Sequence, residues 1–295
     1  MPQVIDMPTE PGFVRSEFRL VRAIGQVQSP YTGHYSTQEY DAVYWQAEVS
    51  LPPMRRETAV NWQSFLTKLR GPINYFKFID PDAKTNQGTY STSYLESHLR
   101  ILDTSTTLSF TASTKKISSN ELIFGNAKVG DFFVVTGATN GTNNGTFKIV
   151  TLGTGGEAGN TVVVDRDLVD ESATASCKVQ SNIKGALGLN LRASTNSATG
   201  TIKKGDYLQI QSASDTTSDP AQLVLVVEDA TVTTDSGKDF YSVQIEPKLR
   251  GALASGHYVV YQNPKGLFRM TNSDQQWQAD NVSNYGIAFS CVEVV

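Results

Sequence analysis

The chain has 295 residues, with 25 basic and 29 acidic side chains and a formal net charge of -4. That length allows one large domain or two to three small ones, and charges this balanced provide no basic field for a phosphate backbone, so we expect no nucleic-acid partner. No stretch approaches the ~18 apolar residues of a membrane span, and the start, MPQVIDMPTEPGF, lacks the regions of an export signal, so we expect no membrane insertion.

The two cysteines, Cys177 and Cys291, lie far apart in segments with the composition of strands. They form no metal-ligand spacing and no dense disulfide framework. We therefore expect two small buried thiols and synthesis in a reducing compartment.

The first 80 residues predict a strand, a strand, a helix and a strand. The stretches EFRLVRAIGQVQ and YDAVYWQAEVSL flank the loop SPYTGHYSTQ, and FKFIDPD follows as a strand that Asp80-Pro81 ends. Between them, RRETAVNWQSFLTKLRG predicts a helix over about 55–70, with Gly71 at the C-terminal cap. The residues that share one apolar face of this helix are Ala59, Trp62, Phe65, Leu66 and Leu69.

From about Leu99 the sequence alternates between short β runs and turns rich in Gly, Asn and Thr. Two stretches echo each other, VGDFFVV at 129–135 and KGDYLQI at 204–210, and each Gly-Asp pair opens a β run. A repeat of two small β units and independent use of the same turn both explain this similarity.

Residues 104–180 have a polar segment at each end, and this pattern predicts an inserted small β-barrel-like domain. The remaining residues, 1–103 plus 181–295, would form a continuous β-sandwich or split-barrel body. Insertion at an exposed loop costs little chain entropy and presents a new surface outward. The predicted fold class is therefore mostly β, with one amphipathic helix.

No pattern of side chains predicts catalysis or a cofactor. The histidines His34, His98 and His257 stand without a carboxylate or cysteine at metal-ligand spacing. The glycines of GTGGEAG at 153–159 open no helix and predict a mobile hairpin turn, not a phosphate cradle. The acidic residues that a glycosidase or a weak calcium site could use are Asp80, Asp82, Asp165, Asp167, Asp170 and Glu171. Strand alternation favours solvated loop acids instead, so we expect no enzyme, no metal and no cofactor.

Several segments together resemble structural proteins from the tail-tip modules of long-tailed bacteriophages. They are SPYTG, YWQAEVSLPPM, AVNWQSFLTKLRG, FKFIDPD, KGDYLQI, EPKLRG, NPKGLFRM and AFSCVEVV. The resemblance covers most of the chain and implies a distal tail protein in the virion, made in the host cytoplasm. Such proteins form a hexameric ring between the tail tube protein and the tip hub protein, and no catalytic residue comes with them.

A ring subunit needs two different faces that meet between neighbours. The loop SPYTGHYSTQ and the exposed side of the helix are the predicted interface. The residues concerned are Tyr31, His34, Tyr35, Arg55, Arg56, Lys68 and Arg70.

Three other functions stay open. The 104–180 unit could bind a host receptor or carbohydrate, although its phenylalanines fall mostly at strand positions. The protein could hydrolyse cell wall, which the lack of a catalytic pattern disfavours, or it could be a tail-completion or tube protein elsewhere along the tail.

Overall fold

The computed structural model describes residues 2–98, 101, 104–211, 221–235, 237–254, 256–274, 276–279 and 284–295. Within these ranges the chain is mostly β, and its one α-helix lies where the sequence predicts it. The described residues fall into two compact units. The first takes its residues from Met1–Thr85, Ser214–Leu223 and Pro264–Val295, and the second from Asn86–Ala213 and Val224–Asn263.

The first unit is built from three segments of the chain and the second from two. The chain begins in the first unit with β1 (Arg15–Gln28), β2 (Tyr35–Ser50), β3 (Met54–Arg55), α1 (Arg56–Leu69) and β4 (Phe76–Phe78). It continues with β5 (Tyr94–Ser97), β6 (Thr104–Thr111), β7 (Lys116–Ser119), β8 (Phe132–Thr136), β9 (Gly145–Leu152), β10 (Thr161–Val164), β11 (Glu171–Gln180), β12 (Gly188–Ala193), β13 (Tyr207–Ile210), β14 (Gln222–Val226), β15 (Thr231–Asp235), β16 (Lys238–Glu246) and β17 (Tyr258–Val260). It ends with β18 (Gly266–Met270), β19 (Trp277–Ala279) and β20 (Asn284–Glu293), again in the first unit.

A seven-stranded sheet forms the first unit. Its order is β1-β2-β20-β18-β4, with β3 and β19 also paired to β20. Helix α1 covers this sheet, because Trp62 packs against Phe289 of β20 (6.2 Å between ring centroids) and Phe65 against Phe76 of β4 (5.5 Å). The predicted stripe is confirmed, since its five members are all buried: Ala59, Trp62, Phe65, Leu66 and Leu69.

The ends of α1 match the helix dipole, with Glu57 in the first turn and Lys68 in the last. The C-terminal cap of the helix is Arg70, whereas the sequence predicts a cap at Gly71, one residue later. Arg70 adopts the left-handed conformation (φ 52°), and its N–H donates to Thr67 O at 3.2 Å. Gly71 follows with φ 66°, so the turn out of the helix uses two left-handed residues.

In the second unit, strands β6–β11 close into a barrel in the order β10-β7-β6-β11-β8-β9, here called barrel A. Its core is aromatic: Phe133 packs on Phe124 and Phe147 at centroid distances of 5.3 and 5.7 Å. Cys177 also lies there as a buried free thiol, as predicted, and Cys291 is likewise buried and free in the first unit. The phenylalanines of this segment therefore build a core and not a binding platform.

The remaining strands of the second unit form the path β12-β5-β17-β13-β14-β16-β15, and an additional β12–β16 pairing closes six of them into a ring, here called barrel B. Both barrels have one topology. Taken in chain order, β5, β12, β13, β14, β16 and β17 of barrel B have the same neighbours as β6–β11 of barrel A. Barrel A is thus inserted between the first two strands of a barrel with its own plan.

The two Gly-Asp turns occupy equivalent places in the barrels. Gly130 and Gly205 both have positive φ (95° and 90°), which disfavours any residue with a Cβ. Asp131 and Asp206 are buried, and each carboxylate accepts a bond from the backbone three residues earlier. Lys128 N donates to Asp131 Oδ2 at 2.9 Å, and Lys203 N donates to Asp206 Oδ2 at 2.8 Å. Gly130 N donates to Ile149 O and Gly205 N to Val226 O, both at 2.8 Å. In return, Ile149 N donates to Asp131 O at 2.9 Å and Val226 N to Asp206 O at 2.8 Å.

Barrel A is fixed to barrel B at the start of β8. The side chain of Asn190 in β12 accepts from Phe132 N at 2.8 Å and donates to Phe132 O at 2.7 Å. Ser242 of β16 donates to Asp131 Oδ1 at 2.9 Å. All of these groups are buried, so the bonds form where water cannot replace them.

The predicted division into a ring-forming body (1–103 plus 181–295) and an inserted domain (104–180) stays a prediction. The compact units separate at another place, between Thr85 and Asn86, and they group barrel A with barrel B.

Candidate assembly surface

Strands β1 and β2 form one long antiparallel hairpin, paired from Arg15↔Ser50 to Gln28↔Tyr35, with a register shift between Arg22 and Ile24. Below the shift the hairpin belongs to the sheet, because Val43, Trp45, Ala47 and Val49 are buried. Beyond it the described side chains are exposed or half-buried on both faces. We call residues 24–40 the hairpin arm.

The hairpin arm carries apolar and aromatic side chains that nothing in the described chain covers. They are Ile24 (51% exposed), Val27 (71%), Tyr31 (96%), Tyr35 (66%) and Tyr40 (52%). A two-stranded hairpin is marginally stable alone in water, and contiguous exposed apolar surface marks an interaction site. The arm therefore has the chemistry of a segment that a partner buries.

Two local features hold the arm in shape. The Tyr40 ring lies over Gly25, where an added Cβ would come within 3.1 Å of Tyr40 Cε2. At the tip, Ser29 N donates to His34 O and Gly33 N donates to Ser29 O, both at 2.9 Å. An aromatic ring over a glycine of the neighbouring strand protects that part of the ladder, so the arm is preorganised.

The seven predicted interface residues are all exposed. The structure brings Tyr31, His34 and Tyr35 together at the arm tip. It places Arg55 and Arg56 at the start of α1 and Lys68 and Arg70 at its end, roughly 20 Å away at 1.5 Å per residue. The seven therefore form three groups on the first unit, and their role as an interface stays a prediction.

The exposed side of α1 and the residues that flank the helix carry four basic side chains and one acidic side chain, Glu57. None of Arg55, Arg56, Lys68 and Arg70 forms an ion pair with any residue that the structure describes. Sequence reasoning missed Val60, which lies on this face and is 47% exposed. An unpaired cationic face with an apolar centre suits a partner with aromatic or acidic groups.

Strand β1 is an edge of the sheet. Within the described ranges it pairs with β2 only. Its solvent face carries alternating charges, with Arg19 between Glu17 (3.7 Å) and Glu48 of β2 (3.1 Å). Such charges deter nonspecific edge pairing while leaving the backbone edge available.

Three of the acidic residues considered for catalysis hold backbone groups in barrel A. Asp170 accepts from Ala112 N at 2.7 Å, and Asp165 accepts from Lys148 N at 2.9 Å. Glu171 accepts from the backbone of Thr139 and Asn140 at 2.8 and 3.2 Å and so fixes that loop.

Two of these carboxyls have shifted pKa values with plain causes. A hydrogen bond from Lys115 lowers the pKa of Asp167, whereas partial burial raises the pKa of Asp80. Asp80 also caps a short turn by accepting from Asp82 N at 3.2 Å. Neither shift has the origin expected of a catalytic acid and base pair, because Lys115 causes the one and burial causes the other.

Within the described part of the chain no three His, Cys, Asp or Glu side chains are grouped so that they could hold a metal ion. None of its helices has the length and apolar character needed to cross a membrane. Comparison with known protein families and with curated proteins found no match.

Proposed function

We propose that this protein is a structural subunit of a bacteriophage tail that assembles into a homo-oligomeric ring. The single observation that carries the proposal is the hairpin arm, which extends past the sheet and exposes five large apolar side chains. The segmental resemblance to tail-tip proteins supplies the setting. It favours a hexamer at the distal tail, between the tail tube and the tip hub.

The arm of one copy and the α1 face of the next are complementary. The arm presents the tyrosines Tyr31, Tyr35 and Tyr40, and the helix presents arginines, a lysine and the apolar Val60. Guanidinium groups stack well on tyrosine rings, and each such contact stabilises by about 0.5–2 kcal/mol when desolvated. A contact between two different surfaces is heterologous, and it closes into a ring when the rotation allows.

Energy favours a closed ring over a single pair. Burial of the exposed parts of five large apolar side chains contributes at most about 8–15 kcal/mol at 1.5–3 kcal/mol each, whereas association costs about 4–15 kcal/mol. These two ranges overlap, so a single contact need not be stable by itself. In a closed ring every copy makes two contacts, so the number of contacts exceeds the number of association steps by one.

The decisive experiment compares solution masses of the full chain and of arm variants by mass photometry. We expect the wild type to form a discrete ring and the variant Val27→Ser/Tyr31→Ser/Tyr35→Ser to remain at 32.2 kDa. The matched control is Val150→Ser/Val169→Ser, which removes two exposed valines (46% and 38%) from barrel A and should leave the ring intact. A wild-type chain that stays monomeric at high concentration and does not join tail tubes contradicts the proposal.

A tail-completion or tube protein would use the same surface elsewhere along the tail. Gold-labelled antibody on intact virions separates these positions, since label at the tip supports the distal assignment and label along the shaft or at the neck contradicts it.

A further inference from the structure

An exposed pair of tyrosines lies on the outer surface of barrel B. Tyr94 on β5 and Tyr258 on β17 are 40% and 53% exposed, and their rings meet edge to face with centroids 4.7 Å apart. Their neighbours Leu95 and Val259 are fully buried, so strand alternation directs both tyrosines to the outside. No described residue forms a hydrogen bond with either phenol group. No sequence pattern predicts this pair, because its two members are far apart along the chain.

A polar pair borders the two rings. Glu96 lies directly across from Tyr258 and from Arg192 of β12. The Arg192 guanidinium donates to Glu96 Oε2 from Nε at 2.7 Å. Among the described residues, Glu96 Oε1 and Arg192 Nη1 have no partner. The site therefore offers a fixed acceptor and a fixed donor beside two aromatic faces, and we call these four residues the aromatic patch.

Barrel A has different residues at two of these four positions. Val135 and Ile210 each lie four residues after the Asp of a Gly-Asp turn; Val135 pairs with Val179 and Ile210 pairs with Val259, so the two barrels share their register here. The positions of Tyr258 and Glu96 in barrel B correspond to Lys178 and Ser105 in barrel A. A barrel of this topology thus closes without an aromatic residue at the position of Tyr258 and without an acidic residue at that of Glu96.

We propose that the aromatic patch binds a carbohydrate, with one pyranose ring seated on Tyr94 and Tyr258. A pyranose has an apolar C–H face, which suits an aromatic ring, and hydroxyl groups at its rim, which suit a carboxylate and a guanidinium held in place. A protein partner fits less well, since stable interfaces bury about 800 Å² on each side around an apolar centre. The two tyrosines form only a small apolar surface. Polar groups border it, namely Thr92, Ser194 and the ion pair of Arg192 and Glu96.

The binding assay uses the full chain on an array of immobilised pyranose oligosaccharides, with hexose, deoxyhexose and N-acetylhexosamine polymers as separate groups. We expect wild-type protein to bind at least one group and Tyr94→Ala/Tyr258→Ala to lose that signal at least tenfold. Glu96→Gln should weaken it less, because the amide keeps one acceptor. The group that binds identifies the sugar class.

The control is Trp277→Ala, which removes an exposed aromatic side chain (41%) from β19 and should leave sugar binding unchanged. Thermal melting of the double variant should match the wild type, since both rings are exposed. Wild-type protein that binds no polymer, or a double variant that binds as well as wild type, overturns the proposal. A double variant that instead loses ring assembly also overturns it and assigns the patch to a protein contact. The inference is independent of the ring, because a monomer that binds sugar supports it.

Discussion

Replacing Asp206 by asparagine tests whether the buried Gly-Asp turn stabilises barrel B. Asp206 is fully buried, and its carboxylate accepts from Gln87 N at 2.6 Å, Lys203 N at 2.8 Å, Tyr261 Oη at 3.0 Å and Gly88 N at 3.2 Å. Asparagine keeps the shape but has one acceptor oxygen, so its NH₂ group faces N–H or O–H donors. With the amide oxygen at the Oδ2 position, Lys203 N, Tyr261 Oη and Gly88 N keep an acceptor, but Gln87 N loses its acceptor in a buried place and faces the NH₂ group.

The expected loss follows from that bond. A buried donor without a partner costs about 1–3 kcal/mol, so the free energy of unfolding should fall by about 1–3 kcal/mol. Urea denaturation followed by circular dichroism measures this change. The matched control is Asp229→Asn, which alters an exposed carboxylate near the same turn and should leave the midpoint unchanged. A fall below about 1 kcal/mol for Asp206→Asn would refute the reasoning, because a buried donor that has lost its acceptor costs at least that much.

Two further predictions concern the second unit. Burial raises the pKa of the Tyr241 and Tyr261 hydroxyls, so the folded state holds these protons more tightly than the unfolded chain. Their contribution is complete below the ordinary tyrosine pKa of about 10 and falls as the pH rises above it. Denaturation at pH 8–12 should show that loss, and a constant free energy of unfolding would contradict it. Asn190→Ala should remove the amide protection of Phe132 in hydrogen exchange and cost about 2–5 kcal/mol, while β20 amides stay protected. Unchanged exchange at Phe132 would show that the barrels are held together by other contacts.

The helix and the barrel were accessible from sequence because each depends on a local pattern. The apolar spacing of Trp62, Phe65 and Leu69 predicts one buried face, and the structure buries it. The Gly-Asp similarity is explained equally by a repeat and by independent use of the same turn, and the equivalent bonds of Asp131 and Asp206 show that both turns are built alike. Hydrogen bonds between residues only three positions apart require particular residue types close together, so a short sequence pattern reveals them.

Surface features were harder to predict because they depend on what lies across the sheet. The stretch EFRLVRAIGQVQ carries apolar residues along its whole length, yet Ile24 and Val27, which lie beyond the register shift, are exposed. The pair of Tyr94 and Tyr258 forms through strand pairing at long range. Burial at such positions follows from tertiary contacts, so residue type alone does not reveal it.

The most direct test of the account is a cross-link between the hairpin arm of one copy and α1 of another. Tyr31→Cys and Val60→Cys chains are purified separately, mixed and treated with a short bis-maleimide; the native Cys177 and Cys291 are buried and should not react. We expect a covalent dimer that contains one Tyr31→Cys chain and one Val60→Cys chain. This dimer should be absent when either variant is treated alone. Monomers only, or dimers formed equally well by either single variant, would contradict an arm-to-helix contact between copies.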